Sequence, residues 1–357
     1  MSARQIRTFV RIVSPDAQET PLRKRLSRLF VLGLAALALI PGTARAQEDG
    51  YPFRLANFSF EFLGGATKLS PDDLNTFASY EEAYLQYYYT TRFNYYRGLY
   101  GDSYQVQSTR TGDSAFQPVR DGLSYGLRLR YNLSPSLGLS LGIQFLTRTQ
   151  RSNVGMQVDV DYGGPVSYKY QNSGFLLGVS AWVPELAAHF GWQLGSILRL
   201  ELLFAGGPLH VECRSQSERL MSTTDASGYE SGNVVRTEMT GKATGISVEL
   251  GGRICAKTAG FLDFFVEGNY AFRDATFLAG SGLSRSTAFD SNAQQDPVLQ
   301  SWSGDWGIVL SSITSSWGKF SMMVPQNQAV ASKTTVVQKF DLNLSGVQLK
   351  IGVAVKL

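Results

Sequence analysis

The chain has 357 residues, a formal net charge of +4, 36 glycines, 12% aromatic and 17% charged residues. That length fits one large domain or two ordinary ones. The positive balance sits in the first 46 residues, which hold eight Lys/Arg and two Asp/Glu and leave 25 basic and 27 acidic side chains beyond them. Nucleic-acid binding therefore loses its electrostatic support.

Arg23-Lys24-Arg25 and Arg28 precede a mostly apolar run from Leu29 to Ile40, then Pro41-Gly42 and the small-x-small pattern Ala44-Arg45-Ala46. This pattern predicts a secretory signal peptide over residues 1–46 and a mature domain over 47–357. The run is short for a membrane anchor, and no cysteine lies near the cleavage point to carry a lipid. Export implies an oxidising compartment for Cys213 and Cys255.

Beyond the leader, period-two alternation dominates. It predicts strands over Asn57–Phe62, Leu123–Tyr131, Leu137–Phe145, Gly174–Val183, Ile197–Phe204, Ala243–Cys255, Leu262–Phe272 and the C-terminal stretch from Val347 to Leu357. Each has one large apolar face and one small or polar face. In the fourth, Phe175, Leu177, Val179, Ala181 and Val183 are read as outward. In the last, apolar residues fall at odd positions from Val347 onward but at even positions in Phe340, Leu342 and Leu344, which predicts at Ser345-Gly346 either a β-bulge or the point where the strand leaves the membrane.

The connections alternate in length. Those after the second, fourth and sixth strands are short (the fourth read as a turn from Pro184 to Ser196), and those after the first, third, fifth and seventh run to tens of residues. Short turns at one end and long loops at the other, behind an export signal, predict an all-β fold: an eight-stranded antiparallel transmembrane β-barrel with its last strand closing on its first. A soluble sandwich is the competing fold, but the non-apolar faces here are rich in glycine.

The first long connection opens with Ser70-Pro71-Asp72-Asp73, a helix start. Leu74, Phe77, Ala78, Tyr84, Leu85 and Tyr88 follow at helical spacing, predicting a helical insertion over about 70–97, and nine of the 17 tyrosines lie between Tyr80 and Tyr104. A lid over the mouth, an interfacial aromatic anchor and a ligand-stacking platform all fit. The second loop reads as a hairpin about Gly163-Gly164, with Asp159 and Asp161 on one face as a solvated pair or cation site. The third reads as polar and mobile. The fourth, with Trp302, Trp306 and Trp317, has room for one more hairpin and thus ten strands.

The inward faces carry ten charges: Arg128, Arg130, Arg199, Arg253 and Lys350 against Glu61, Glu201, Glu249, Asp263 and Glu267. An eight-stranded barrel is just wide enough to be filled by side chains, so these charges must pair. The expected result is a salt-bridged network filling the lumen; the alternative is a polar permeation path. Cys213 and Cys255 are expected to be separated by most of the barrel height and to remain free thiols. His189 is assigned to a turn. His210 beside Glu212 or Ser215 matches no defensible catalytic spacing, and no cofactor or metal motif is present.

The exported eight-strand pattern resembles small outer-membrane barrels of the OmpA/OmpW type over about residues 53–357. The resemblance is architectural, and it departs from that type in ending on Leu357 rather than Phe. It implies residence in the bacterial outer membrane, with membrane lipid and the barrel-assembly machinery as partners. The expected function is non-enzymatic, with a filled lumen and loops that serve surface recognition or envelope structure for an unidentified ligand. The alternative is a small-solute channel.

Overall fold

The structure is a computed structural model. It describes residues 57–69, 71–100, 105–161, 164–258, 260–315, 318–325, 337–339 and 341–357. The segment read as a signal peptide, Ser70 and Phe340 lie outside the described residues, as do the side chains of Phe77 and Tyr88.

These residues form an all-β antiparallel sheet with one helix. The first half runs β1 (Phe58–Lys68), α1 (Asp72–Tyr100), β2 (Gln105–Gly112), β3 (Asp121–Asn132), β4 (Leu137–Asp161), β5 (Pro165–Leu194) and β6 (Leu198–Thr224). The second half runs β7 (Glu230–Lys257), β8 (Leu262–Asp290), β9 (Val298–Ser315), β10 (Gly318–Pro325), β11 (Val337–Lys339), β12 (Asp341–Asn343) and β13 (Gly346–Lys356). Eight strands close into a ring in the order β1-β3-β4-β5-β6-β7-β8-β13 and back to β1. The C-terminal strand thus has a partner on each side, Phe62 lying opposite both Val353 and Leu127.

The connections at one end are short. Pro184 to Ser196 is not a turn, as the sequence reading has it: β5 continues to Leu194, and a three-residue connection containing Gly195 at φ 69° leads into β6. Pro184 is no obstacle to the extended strand, because it sits opposite Ile143 on one side and falls in a gap of the ladder to β6 on the other. At the opposite end the long strands rise well past β1, β3 and β13. The third loop, read as mobile, is the upper part of an unbroken β6–β7 ladder running from Leu198 opposite Ala256 to Thr224 opposite Glu230. Where β3 and β13 stop, β4 and β8 are left with open edges. β2 pairs with β4 and β9 pairs with β8 there, so these backbone groups are satisfied. The additional hairpin in the fourth loop, β9–β10, therefore flanks the ring and leaves it at eight strands.

Two sequence-based assignments of facing are corrected. Phe175, Leu177, Val179, Ala181 and Val183 point into the ring, each no more than 4% exposed, while Trp182 and Leu186 point out. The β-bulge expected at Ser345-Gly346 is absent. Asn343 opposes Asp274 and Gly346 opposes Ala271 in one continuous register, and the Leu344 amide donates to the Arg273 carbonyl at 2.9 Å. Leu342, Leu344, Gln348 and Lys350 all face inward and are buried. What changes along the strand is the chemistry of the interior, not the face of the strand.

The interior has two tiers. Near the short turns it is polar. Above, an apolar cluster gathers Leu146, Phe175, Leu177, Leu209, Cys213, Leu278 and Leu342 from the strands, with Leu74, Ala78 and Leu85 of α1. The helix seats three residues at the i, i+4 and i+11 positions of one face in this tier. Cys213 lies in this cluster and Cys255 in a separate one with Leu63, Phe265 and Ala354; both are free thiols.

Candidate functional site

The polar tier is built by alternation. Every second residue of each ring strand points inward, and glycines at some of these positions make room for long side chains. A Cβ on Gly138 would meet the Arg130 guanidinium at 2.9 Å, and one on Gly191 would meet that of Arg199 at 2.3 Å.

The charges form one connected network across the ring. Arg253 on β7 holds Glu61 on β1 through two bonds, 2.7 and 2.9 Å, and Glu267 on β8 at 2.7 Å. Its guanidinium lies 3.9 Å from the centre of the Phe265 ring. Arg128 donates to Glu267 at 2.7 Å and to Glu185. Arg130 on β3 grips Glu201 on β6 at 2.7 and 2.8 Å, and also reaches Glu61 at 3.4 Å. Arg199 Nε lies 2.9 Å from Glu201 Oε1. Lys350 reaches Glu249 at 3.2 Å and Glu267 at 3.5 Å. Arg273 contacts Glu249, and donates to Gln144 at 2.6 Å and Ser247 at 3.2 Å.

Nine of the ten charges named from sequence fall in this network. Asp263 does not: it pairs with Lys356 at 2.8 Å near the strand ends, where the Lys356 side chain is 39% exposed. Three members escaped the sequence reading. Glu185 and His189 were assigned to a turn, and Arg273 lies one residue past the assigned end of its strand. The inward alternation continuing through Glu185, Ala187 and His189 was the available signal. With these additions the fully buried charges are Arg128, Arg130, Arg253, Arg273 and Lys350 against Glu61, Glu185, Glu201, Glu249 and Glu267. Five balance five, and Arg199 adds a partly exposed cation at the edge. Burying an ion costs several kcal/mol unless partners offset it; each of these charges has at least one ionic partner, although among the described residues Glu185 Oε2 and Arg273 Nη1 make no hydrogen bond.

Within it lies a further arrangement. Ser140 Oγ is 2.8 Å from His189 Nε2, and His189 Nδ1 is 3.6 Å from Glu201 Oε2. The connectivity is that of a hydroxyl, a base and an orienting acid. Ser140 is only 3% exposed and His189 is fully buried, and Arg130 and Arg199 fill the space beside Gly138 and Gly191. His210, the other histidine, faces outward and stacks on Trp182 with ring centres 4.0 Å apart. Among the described residues no group of His, Cys, Asp and Glu could hold a metal ion; Asp159 instead accepts from Gln157 at 2.9 Å.

The helix is fixed above by a second set of polar contacts. Arg219 on β6 pairs with Glu81, which also accepts from Tyr170 Oη and Asn172 Nδ2, each at 3.2 Å. Arg110 on β2 grips Glu82 through two bonds, 2.7 and 2.9 Å. At the helix start the Asn75 side chain donates to the Val119 carbonyl at 3.0 Å and accepts from its amide at 2.8 Å. No family model matches this chain, and neither does any curated protein.

Proposed function

We propose that the chain is an integral β-barrel of the bacterial outer membrane, with a filled lumen, that acts through the ribbons and helix standing above the bilayer. The observation that carries this reading is the inverted distribution of polarity. On β13, Ile351 is 66% exposed while its neighbour Lys350 is fully buried. Phe62, Leu127, Leu141, Leu202, Leu250 and Ile254 are likewise about half exposed or more, while the arginines and glutamates fill the centre. A water-soluble fold reverses this arrangement. A hydrocarbon surrounding accounts for it.

The outward belt has defined edges. Tyr125, Phe145, Trp182 and His210 lie in direct register on four adjacent strands. Trp192, Tyr131 and Phe58 mark the other edge, the last two with ring centres 4.7 Å apart. Trp182 and Trp192 are ten residues apart on β5, about 33 Å of strand and so about 25 Å of height at a tilt of roughly 40°. That matches the apolar band of outer-membrane barrels flanked by aromatic girdles.

The buried charges of the polar tier and the apolar side chains clustered around the helix both occupy the interior, which supports surface recognition or envelope structure over transport. The enclosed Ser140–His189–Glu201 group is read as part of the packing and not as catalytic machinery. The ribbons would face outside the cell, the short turns and Leu357 the periplasm, and the C-terminal strand would engage the barrel-assembly machinery. Fractionation of outer membranes followed by gel migration with and without boiling tests the barrel: heat-modifiable migration is expected, and migration unaffected by boiling sinks the reading. Planar-bilayer recording tests the closed lumen: steady open events would instead favour a small-solute channel.

A further inference from the structure

The outward face above the belt carries a feature that the filled lumen leaves unused. Arg151 on β4 opposes Leu176 on β5, and Thr149 opposes Gly178, which in turn opposes Arg214 on β6. The two arginines thus straddle β5 at a point where Gly178 contributes no side chain. Both are exposed, and neither has an ion pair among the described residues. Two carboxylates beside them have other partners: Glu212, two residues from Arg214, lies 3.8 Å from Lys242, and Asp113 accepts from the Asn153 amide, two residues from Arg151, at 2.7 Å.

Four residues down β4 from Thr149 is Phe145, in the aromatic row that ends the belt. Phe145 and Tyr125, stacked at 5.3 Å, border an outward apolar groove of about 930 Å3 whose other walls include Phe62 and Phe264. Gly64, opposite Tyr125 and Ile351, leaves a gap in its centre. From Thr149 to Gly64 is about 13 Å along the strand and about 10 Å across two strands, within the span of one acyl chain.

We propose that this face binds a phosphate-bearing lipid, with the headgroup between Arg151 and Arg214 and an acyl chain in the groove at Gly64. The inference rests on the outer-membrane reading, because the groove must face lipid. Guanidinium is suited to phosphate oxygens, and Arg214 and Arg151 stand about 10–15 Å in height beyond the aromatic row on their tilted strands, on the side where the headgroup of a lipid in the groove would lie. The continuity of cations, aromatic row and apolar groove is what distinguishes this face from a scatter of surface charge.

Native mass spectrometry of the folded protein in zwitterionic detergent tests the site, with phosphatidic acid as probe, a diacylglycerol of the same chains as control, and inorganic phosphate as competitor. The expected result is phosphatidic acid bound in preference to diacylglycerol and not displaced by inorganic phosphate. Arg151→Ala and Arg214→Ala should each weaken it about fivefold. Gly64→Leu should weaken both lipids; it is sterically free, since a Cβ there meets nothing nearer than the Ser124 carbonyl at 3.9 Å. Equal binding by the wild type and the arginine variants, equal binding of the two lipids, or full displacement by inorganic phosphate would overturn the proposal. Heat-modifiable migration of the same samples keeps the two readings apart: its absence in the wild type sinks the barrel, whereas its presence without lipid selectivity sinks only this site.

Discussion

Arg253 and Glu61 meet in a two-point contact, at 2.7 and 2.9 Å, although two strands, β8 and β13, stand between theirs in the ring. The pair is therefore a strut across the interior and not a neighbour contact of a ladder. Glu61 also receives Arg130, and Arg253 also holds Glu267, so the strut ties opposite walls to a common network. Removing one partner of a buried pair typically costs about 3–5 kcal/mol, because the other charge is left stranded. Glu61→Ala should lose stability of that order in urea unfolding followed by loss of heat-modifiable migration. Glu61→Leu combined with Arg253→Met should lose clearly less than the two single changes added together. Simple additivity would show that the charges are not coupled.

The docking of α1 should depend on pH at a partly buried seam. Burial pushes the Glu82 carboxyl upward, but the hydrogen bonds and charge of Arg110 outweigh it and hold the group below the usual carboxylate range. A carboxylate with a lowered folded value contributes stability above its unfolded pKa of about 4.5 and loses it as the pH falls through the folded value. Hydrogen exchange or limited proteolysis of residues 72–86 should rise below about pH 4.5. The Glu82→Gln variant should show a smaller rise, and an identical profile in that variant would remove Glu82 from the account. In the same segment, Leu85→Ala should cost about 2–5 kcal/mol of local stability by opening a cavity in the apolar tier.

Ser140 and His189 make a chemical prediction as well as an energetic one. With both side chains enclosed, a fluorophosphonate probe should leave Ser140 unlabelled in the folded protein. Ser140→Ala should cost about 1 kcal/mol through the lost hydrogen bond to His189. Stoichiometric labelling at Ser140 would overturn the packing interpretation and reopen a hydrolase.

Strand positions, even strand number and closure of the last strand on the first were legible because period-two alternation does not depend on which side is lipid, protein or water. Facing was legible only where the two sides differ. Phe175 to Val183 and Leu342 to Leu344 present apolar residues to an interior that is itself apolar at that height, so the rule that apolar means outward inverted the first and invented a bulge in the second. Glu185 and His189 were missed because Pro184 looked like the end of a strand, whereas the ladder passes it. Asp263 was placed in the network because alternation fixes face but not depth. Its position near the strand end gives it Lys356 in place of the central arginines.

Adjacent residues on β13 offer the sharpest test of what surrounds the ring. Ile351 points outward at the height of Gly64 and Val266 on the neighbouring strands, and Lys350 points inward onto Glu249 and Glu267. An arginine at the middle of a lipid-facing belt costs about 2–4 kcal/mol, whereas the same change on a water-facing surface stays within about 0.5 kcal/mol. Ile351→Arg should therefore destabilise the protein folded in phosphatidylcholine vesicles by about 2–4 kcal/mol, measured by urea titration. Lys350→Met leaves Glu249 with Arg273 but takes away a cation shared with Glu267, and should cost stability whatever lies outside. A neutral Ile351→Arg together with a costly Lys350→Met would place water against the belt, and a large cost for both would place lipid there.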